Sequence, residues 1–329
     1  VFVPVVLLTL QVILNGLNLL TYEQTKQYNV IISAIITLVA FTTVIKRNSI
    51  LLILSYFIVV LLLLFTVIIY PSNFKYIKED YFNLLFVNIP AFLCVASISD
   101  ENVLKKVMIK LAYTIFILGL IYSFLIFGGK IIFSMYNMSF SYYLLFPALI
   151  FASRFNLFHN ILFFITLTLM LMYGSRGPLI IGIVYFLVVN VFVTKHKWRL
   201  FIVPLVLTAI IALFNFENLL ILAESKLGYI PRTIRVMQEN LLYDAGRFQL
   251  TSIIWQDILD GPFFGKGLFS DRVILPNEAY THNILLELLH NFGFLVGGGL
   301  FIFLIFSMLK ILKRRKKEEK IFFIFFIFY

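Results

Sequence analysis

Apolar runs close to twenty residues long follow one another along nearly the whole chain, which leaves one broad class of fold. A helical segment of that length matches the hydrocarbon core of a bilayer, and in lipid a helix satisfies its backbone N–H and C=O groups internally. Spans are expected at 1–20, 28–45, 50–70, 82–99, 107–127, 131–151, 157–173, 178–194, 200–214 and 282–309, with a fragment from 321. The expected fold is an all-α polytopic membrane protein with about ten or eleven transmembrane helices. Composition agrees: 61% of residues are hydrophobic and the mean hydropathy is +1.00. A cleaved secretory signal would account for one such run, not for the series. The chain opens on Val1, and its last nine residues, 321–329, are apolar but too few to span. A longer native protein with at least one more C-terminal helix is expected.

The net charge of +11 does not point to nucleic acid, because the densest basic cluster, Lys313-Arg314-Arg315-Lys316-Lys317, directly follows a span. That is the cytoplasmic flank of a helix under the positive-inside rule. Lys46-Arg47, Lys105-Lys106, Arg154 and the Lys195, Lys197, Arg199 group fall on the same side if every run crosses once. The single cysteine, Cys94, excludes disulfides and cysteine-built metal sites, and its apolar surroundings make it a packing residue.

The opposite side receives 21–27, 71–81, 128–130, 174–177 and one long connection, 215–281. The chain therefore divides into transmembrane helices over 1–214, an extracytoplasmic cap over 215–281, and C-terminal transmembrane helices over 282–329. Connections this long are commonly functional or disordered. Leu250, Ile253, Ile254 and Ile258 recur at helical spacing just after Arg247, so part of the cap is an ordered helix. Gly261-Pro262 stops that helix, and Gly265 and Gly267 allow a tight return. Gly297-Gly298-Gly299 is expected to permit close helix packing or a bend.

Chemistry gathers on the outer side. Arg176 lies in Gly174-Ser175-Arg176-Gly177-Pro178, between two apolar runs. A guanidinium at mid-bilayer costs a few kcal/mol (about 2.5–3.5 on insertion scales), so Arg176 belongs at the surface or in a wet cavity. Pro178 suits the first turn of a helix and Ser175 its cap, so helix N–H groups and a fixed cation mark an anion site there. The helix from Thr281-His282-Asn283 also presents its positive end outward. Arg247 opens the cap helix between them. Arg176, Arg247 and His282 are thus expected to meet in one cradle for phosphate oxygens, which the planar guanidinium binds in bidentate fashion.

His282, with a free pKa of about 6.5, suits proton removal near neutrality; a plain capping role is the alternative. Arg232 and Arg235 are further substrate contacts or a solvated face. Glu287 and His290, three apart on one helix, are neighbours at a depth where ionisable groups are functional by default. Trp255, Tyr243 and Tyr229 are candidate substrate contacts in the cap. Glu79-Asp80 is an acidic pair on an outer loop, the one weak hint of metal chemistry; no metal or other cofactor is expected.

Several segments together resemble the O-antigen ligase and polysaccharide polymerase family of bacterial membrane proteins. They are Gly174-Ser175-Arg176-Gly177 opening a span, and Gly246-Arg247-Phe248 with Trp255 one helix later. Gly261-Pro262-Phe263-Phe264-Gly265-Lys266-Gly267-Leu268 follows, then Thr281-His282-Asn283 with Leu286-Glu287-Leu288 leading into a glycine-rich helix. The likeness covers roughly 130–310. It implies a C-type glycosyltransferase-like bundle acting, without metal, at the outer face of the cytoplasmic membrane on a glycan linked by diphosphate to a polyprenyl lipid. It also implies that Arg176 and Arg247 hold the diphosphate and that His282 assists the acceptor. His290 departs from the pattern, standing where relatives more usually carry an acidic residue.

The expected activity is that of an O-antigen or capsule polymerase, moving glycan from a polyprenyl-diphosphate donor to a sugar hydroxyl. Ligation to a lipid or protein acceptor is the alternative, and a lipid-linked oligosaccharide flippase a second one. Paired halves with broken helices, usual in transporters, are not visible in the sequence. The expected partners are the lipid-linked oligosaccharide, a glycan acceptor and membrane lipid, with a flippase and chain-length regulator of the same pathway. Nucleic acid is not among them.

Overall fold

The structure, a computed structural model, describes residues 13, 14, 17, 19, 21–46, 50–77, 85, 89–96, 100–127, 138–154, 156–173, 176–192, 247–261, 263–275, 281, 283–314, 321 and 324. Among these every regular element is helical, as expected for an all-α membrane protein. The elements are α1 (Tyr22–Lys46), α2 (Ile50–Ile69), a 3-10 turn (Pro71–Asn73), α3 (Ile89–Ala96) and α4 (Glu101–Phe127). There follow α5 (Met138–Ala152), α6 (Leu157–Met172), α7 (Arg176–Phe192), α8 (Arg247–Asp260), α9 (Asp271–Ile274) and α10 (Ile284–Arg314).

Local chemistry sets the helix starts. Thr21 and Gln24 form a reciprocal capping box: the Thr21 N–H donates to Gln24 Oε1 (3.0 Å) and the Gln24 N–H to Thr21 Oγ1 (3.3 Å). Asp100 caps α4, its Oδ1 accepting from the N–H groups of Asn102 (2.8 Å) and Val103 (3.4 Å). Asn156 caps α6 by accepting from the His159 N–H at 2.8 Å. Helix α7 begins at Arg176 itself, two residues ahead of the expected 178, so Arg176 sits in a first turn.

By length and composition α4 and α10 are apolar enough to cross a membrane, over Asn102–Ile126 and Ile284–Lys310. A third candidate bends by 115° between Ile53–Ile69 and Pro71–Ile77, where Pro71 cannot continue the α2 hydrogen-bond ladder. Of the expected span 82–99, the described helix is Ile89–Ala96. The spans expected at 1–20 and 200–214, and the cap up to residue 246, lie mostly or wholly outside the described residues.

The chain forms two compact units. One is built mainly from Asp100–Leu241, and its described body is α4 to α7. Helix α5 packs against α4, α6 and α7, which explains why Phe140, Leu144, Leu145, Ala148, Leu149 and Phe151 are all fully buried on it. Phe163 and Phe186 stack at 4.5 Å, joining α6 to α7. The other unit combines Tyr28–Ser99 with Leu242–Arg314.

Helix α10 corrects the sequence reading. The expected span 282–309 is not one straight helix, because Gly293 has φ 75° and ψ 173° and breaks it into arms over 284–292 and 294–314. Gly297 lies against the Leu288 backbone, where a Cβ would collide with the carbonyl. The close packing expected of the glycine run occurs there, but the bend falls four residues earlier.

Candidate functional site

The broken helix creates a chemical problem that the rest of its unit answers. Ending an α-helix at residue 292 leaves its last carbonyls without intrahelical donors, and buried backbone groups without partners are costly. Loop 261–270 supplies the donors: the Lys266 N–H bonds to the His290 carbonyl (2.9 Å) and the Gly267 N–H to that of Asn291 (3.0 Å). The approach needs glycine on both sides. A Cβ at Gly265 would run into the Asn291 carbonyl, and one at Gly293 into the Phe263 carbonyl.

The same loop is held from its other side by the end of α2. Tyr70 donates its hydroxyl proton to the Gly265 carbonyl at 2.6 Å. The buried Asn73 amide donates to the carbonyls of Lys266 (2.9 Å) and Leu268 (3.1 Å). The sharp turn at Pro71 is what brings Asn73 round to this position.

Helix α8 joins the junction through its apolar face. Ile254 and Ile258 pack with Leu275, Leu286 and Leu289, flanked by Leu250, Ile253 and Leu285. These are the residues whose periodicity marks the helix in sequence, and it ends at Asp260, just before Gly261-Pro262. Among them lies Asp257, and its Oδ2 accepts from Lys266 Nζ (2.6 Å) and meets His290 Nε2 (2.7 Å). Burial pushes this carboxyl up, but the bonds and charges of Lys266 and His290 outweigh burial and hold it below the usual carboxylate range. On the far side of the imidazole, His290 Nδ1 is 2.7 Å from Ser270 Oγ, which also donates to Asn291 Oδ1 at 3.1 Å. The His290 side chain is fully buried.

A second buried set fixes the start of α10. Asp271 Oδ2 accepts from the Thr281 N–H (3.2 Å) and from its hydroxyl (2.9 Å), and both residues are buried. Asn283 caps the helix, its Oδ1 accepting from the N–H groups of Leu285 (3.0 Å) and Leu286 (3.3 Å). The two neighbours of His282 are therefore each tied down by side-chain bonds.

The expected site residues divide accordingly. Arg247 opens α8 and is exposed, and Trp255 is exposed on the same helix. Glu287 is half-buried on the first arm of α10. The ring nitrogens of His290 engage Asp257 and Ser270, not Glu287. Arg176 opens α7 in the other unit, where only its backbone is described. His282, Arg232, Arg235, Tyr243, Tyr229 and the Glu79-Asp80 pair lie outside the described residues. Among the described residues no three His, Cys, Asp or Glu side chains gather to hold a metal.

Sequence reasoning passed over Asp257, Ser270, Asp271, Tyr70 and Asn73. One signal was available: Asp257 sits within the apolar stripe Leu250, Ile253, Ile254, Ile258, where an acidic residue needs a partner. Nothing in sequence spacing announces that the partner is thirty-three residues away.

The joined segments are among those on which the family resemblance rests: the loop 261–268, the Thr281–Asn283 element and the glycine-rich helix. Residues 161–304 match the O-antigen ligase family model. The match takes in Arg176, Arg247, the loop and most of α10. The match covers less than half of the chain and agrees with the resemblance to that family. No curated protein and no solved structure gives a match.

Proposed function

We propose that this protein is a polysaccharide polymerase, transferring glycan from a polyprenyl-diphosphate carrier to a sugar hydroxyl at the outer face of the bacterial cytoplasmic membrane. The observation that carries the reading is the double tether around His282, Thr281 to Asp271 and Asn283 to the first turn of α10, within a stretch that matches the O-antigen ligase model. Fixed neighbours on both sides of a residue suit a task needing fixed geometry. In this reading His282 accepts the proton of the acceptor hydroxyl or orients it, and Arg247 neutralises the departing diphosphate. Arg176 keeps the role of anion ligand that the resemblance implies. As the anomeric bond breaks, negative charge grows on the leaving group, so fixed cations bind the transition state more strongly than the ground state. The chemistry asks for no metal ion, and activity should persist in EDTA.

The ligase reading, transfer to a lipid or protein acceptor, is favoured by the description of the matching family. The surface glycan of a deletion strain separates the two. Loss of a polymerase leaves single repeat units on the outer lipid, whereas loss of a ligase strands long chains on the polyprenyl carrier. Normal glycan in the deletion strain contradicts both.

A further inference from the structure

Helix α8 carries three strips, and only one is accounted for by the junction. Its buried strip, Leu250, Ile254 and Ile258, packs with α10. Phe248, Trp255 and Leu259, at spacings of seven and four, form a second apolar strip on a different side. They are 77%, 42% and 53% exposed. About a quarter-turn further round, Gln249, Gln256 and Asp260 make a polar strip, also exposed. A helix whose second side met water would carry polar residues there as well.

The second strip continues onto the exposed face of a helix long and apolar enough to cross a membrane. The Trp255 ring meets the Phe294 ring edge-on at 6.5 Å, and Phe294 begins the second arm of the candidate span α10. Leu295 and Val296 follow, 75% and 57% exposed, as the outward face of a membrane helix should be. Phe263 and Phe264, 66% and 85% exposed, extend the patch, because the Phe263 carbonyl abuts the Gly293 break.

We infer that α8 lies in the bilayer interface, with Phe248, Trp255, Leu259 and the Phe263-Phe264 pair set among the acyl chains and headgroups of membrane lipid. The occupant of this face is the bilayer itself. Protein covers the Leu250, Ile254 and Ile258 side of the helix, and the Gln249, Gln256 and Asp260 strip faces the aqueous side. An amphipathic helix with an aromatic at the apolar boundary is the ordinary form of an interfacial anchor. Trp255 then serves as an anchor for the helix that begins with Arg247, and not as a stacking platform for sugar. The inference goes beyond the transfer reaction and does not depend on it.

The chain has two tryptophans, Trp198 and Trp255, so Trp198→Phe leaves a single reporter. The variant is reconstituted in phosphatidylcholine–phosphatidylglycerol vesicles with either ordinary or brominated acyl chains. The inference expects brominated lipid to quench Trp255 emission strongly and aqueous iodide to quench it weakly. If Trp198→Phe does not fold, the difference between the natural chain and Trp255→Phe isolates the same signal. Strong iodide quenching with none from brominated lipid overturns the inference. Shielding from both quenchers that is relieved by dilution into excess lipid assigns the face to a second copy of the chain. Relief of brominated-lipid quenching by added polyprenyl phosphate assigns it to the carrier tail. Protection from iodide by added glycan assigns it to the sugar. Each of these last three outcomes also overturns the inference. None requires an activity assay, so a failed transfer reaction leaves this result standing.

Discussion

The four-helix body α4 to α7 and the junction of α8, loop 261–270 and α10 hold together by different physics. The body is a stack of buried phenylalanines and leucines around α5. Its polar bonds include helix-internal ones, such as Thr166 Oγ1 to the Leu162 carbonyl at 2.7 Å, and cross-helix ones, such as that between Ser123 Oγ and Tyr173 Oη at 2.7 Å. The junction has a small apolar cluster and is closed by side chains reaching across long sequence distances: Tyr70 to Gly265, Asn73 to Lys266, Asp257 to His290. Packing tolerates adjustment, since a neighbour can shift by a few tenths of an ångström. Directional bonds to particular carbonyls do not tolerate it. The junction is therefore the region suited to positioning reactive groups, and the one more easily broken by a small change.

The sharpest break should come from Gly265→Ala or Gly293→Ala. Each added methyl meets backbone, and Gly293, at φ 75° and ψ 173°, lies in a region essentially restricted to glycine, which alone costs about 1–3 kcal/mol for an L side chain. Both variants should lose polymer and most folded protein. Gly299→Ala, with nothing within 4 Å, should match the natural chain in yield, Tm and polymer length. In the body, Gly119→Ala meets side chains and not backbone, the tightest being the end of Leu144, and should cost far less than Gly265→Ala.

Next in size is His290→Leu. It leaves Asp257 and Ser270 without their imidazole bonds, a loss of about 1.5–3 kcal/mol for a bond to a charged group. By comparison Phe163→Ala in the body should cost about 1–3 kcal/mol, mainly the cavity it leaves, because lipid is as apolar as leucine. Thermal unfolding of the two variants in the same lipid gives the stabilities. The comparison predicts that His290→Leu also lowers transfer per folded molecule, whereas Phe163→Ala does not.

The contrast also explains what the sequence makes legible. The body follows from apolar runs, and α8 from Leu250, Ile253, Ile254 and Ile258 between Arg247 and Gly261. Those are local patterns with a fixed period. The break at Gly293 is hidden because 282–309 is apolar throughout, and glycine in such a run is compatible with either a straight or a broken helix. The Asp257–His290–Ser270 chain is hidden because its members belong to separate elements and meet only after folding. Thr281-His282-Asn283 was visible as a motif, but the structure shows its outer members tied to Asp271 and to the first turn of α10.

Acid should loosen the junction selectively. The Asp257 carboxyl is held below its unfolded value, so its stabilising contribution is fully present above about pH 3.9 and is lost as the pH falls through the lower folded value. Hydrogen exchange at the amides of Lys266 and Gly267 reads this directly, since both donate to α10 carbonyls. Their protection should fall with acid before that of α5 amides does.

The smallest stability effect, and the most informative, is Asn283→Ala. Loss of this cap should cost about 1 kcal/mol, yet polymer should fall by more than that, because the backbone next to His282 is released. Asn283→Asp keeps the accepting oxygen and should restore both.

The central claim is that His282, whose neighbours Thr281 and Asn283 are tethered, takes part in glycan transfer. Purified protein in vesicles, supplied with polyprenyl-diphosphate-linked repeat units and EDTA, tests it most directly. The natural chain should lengthen the glycan, and His282→Ala, folded and of unchanged Tm, should give none. Equal lengthening by both would contradict the account.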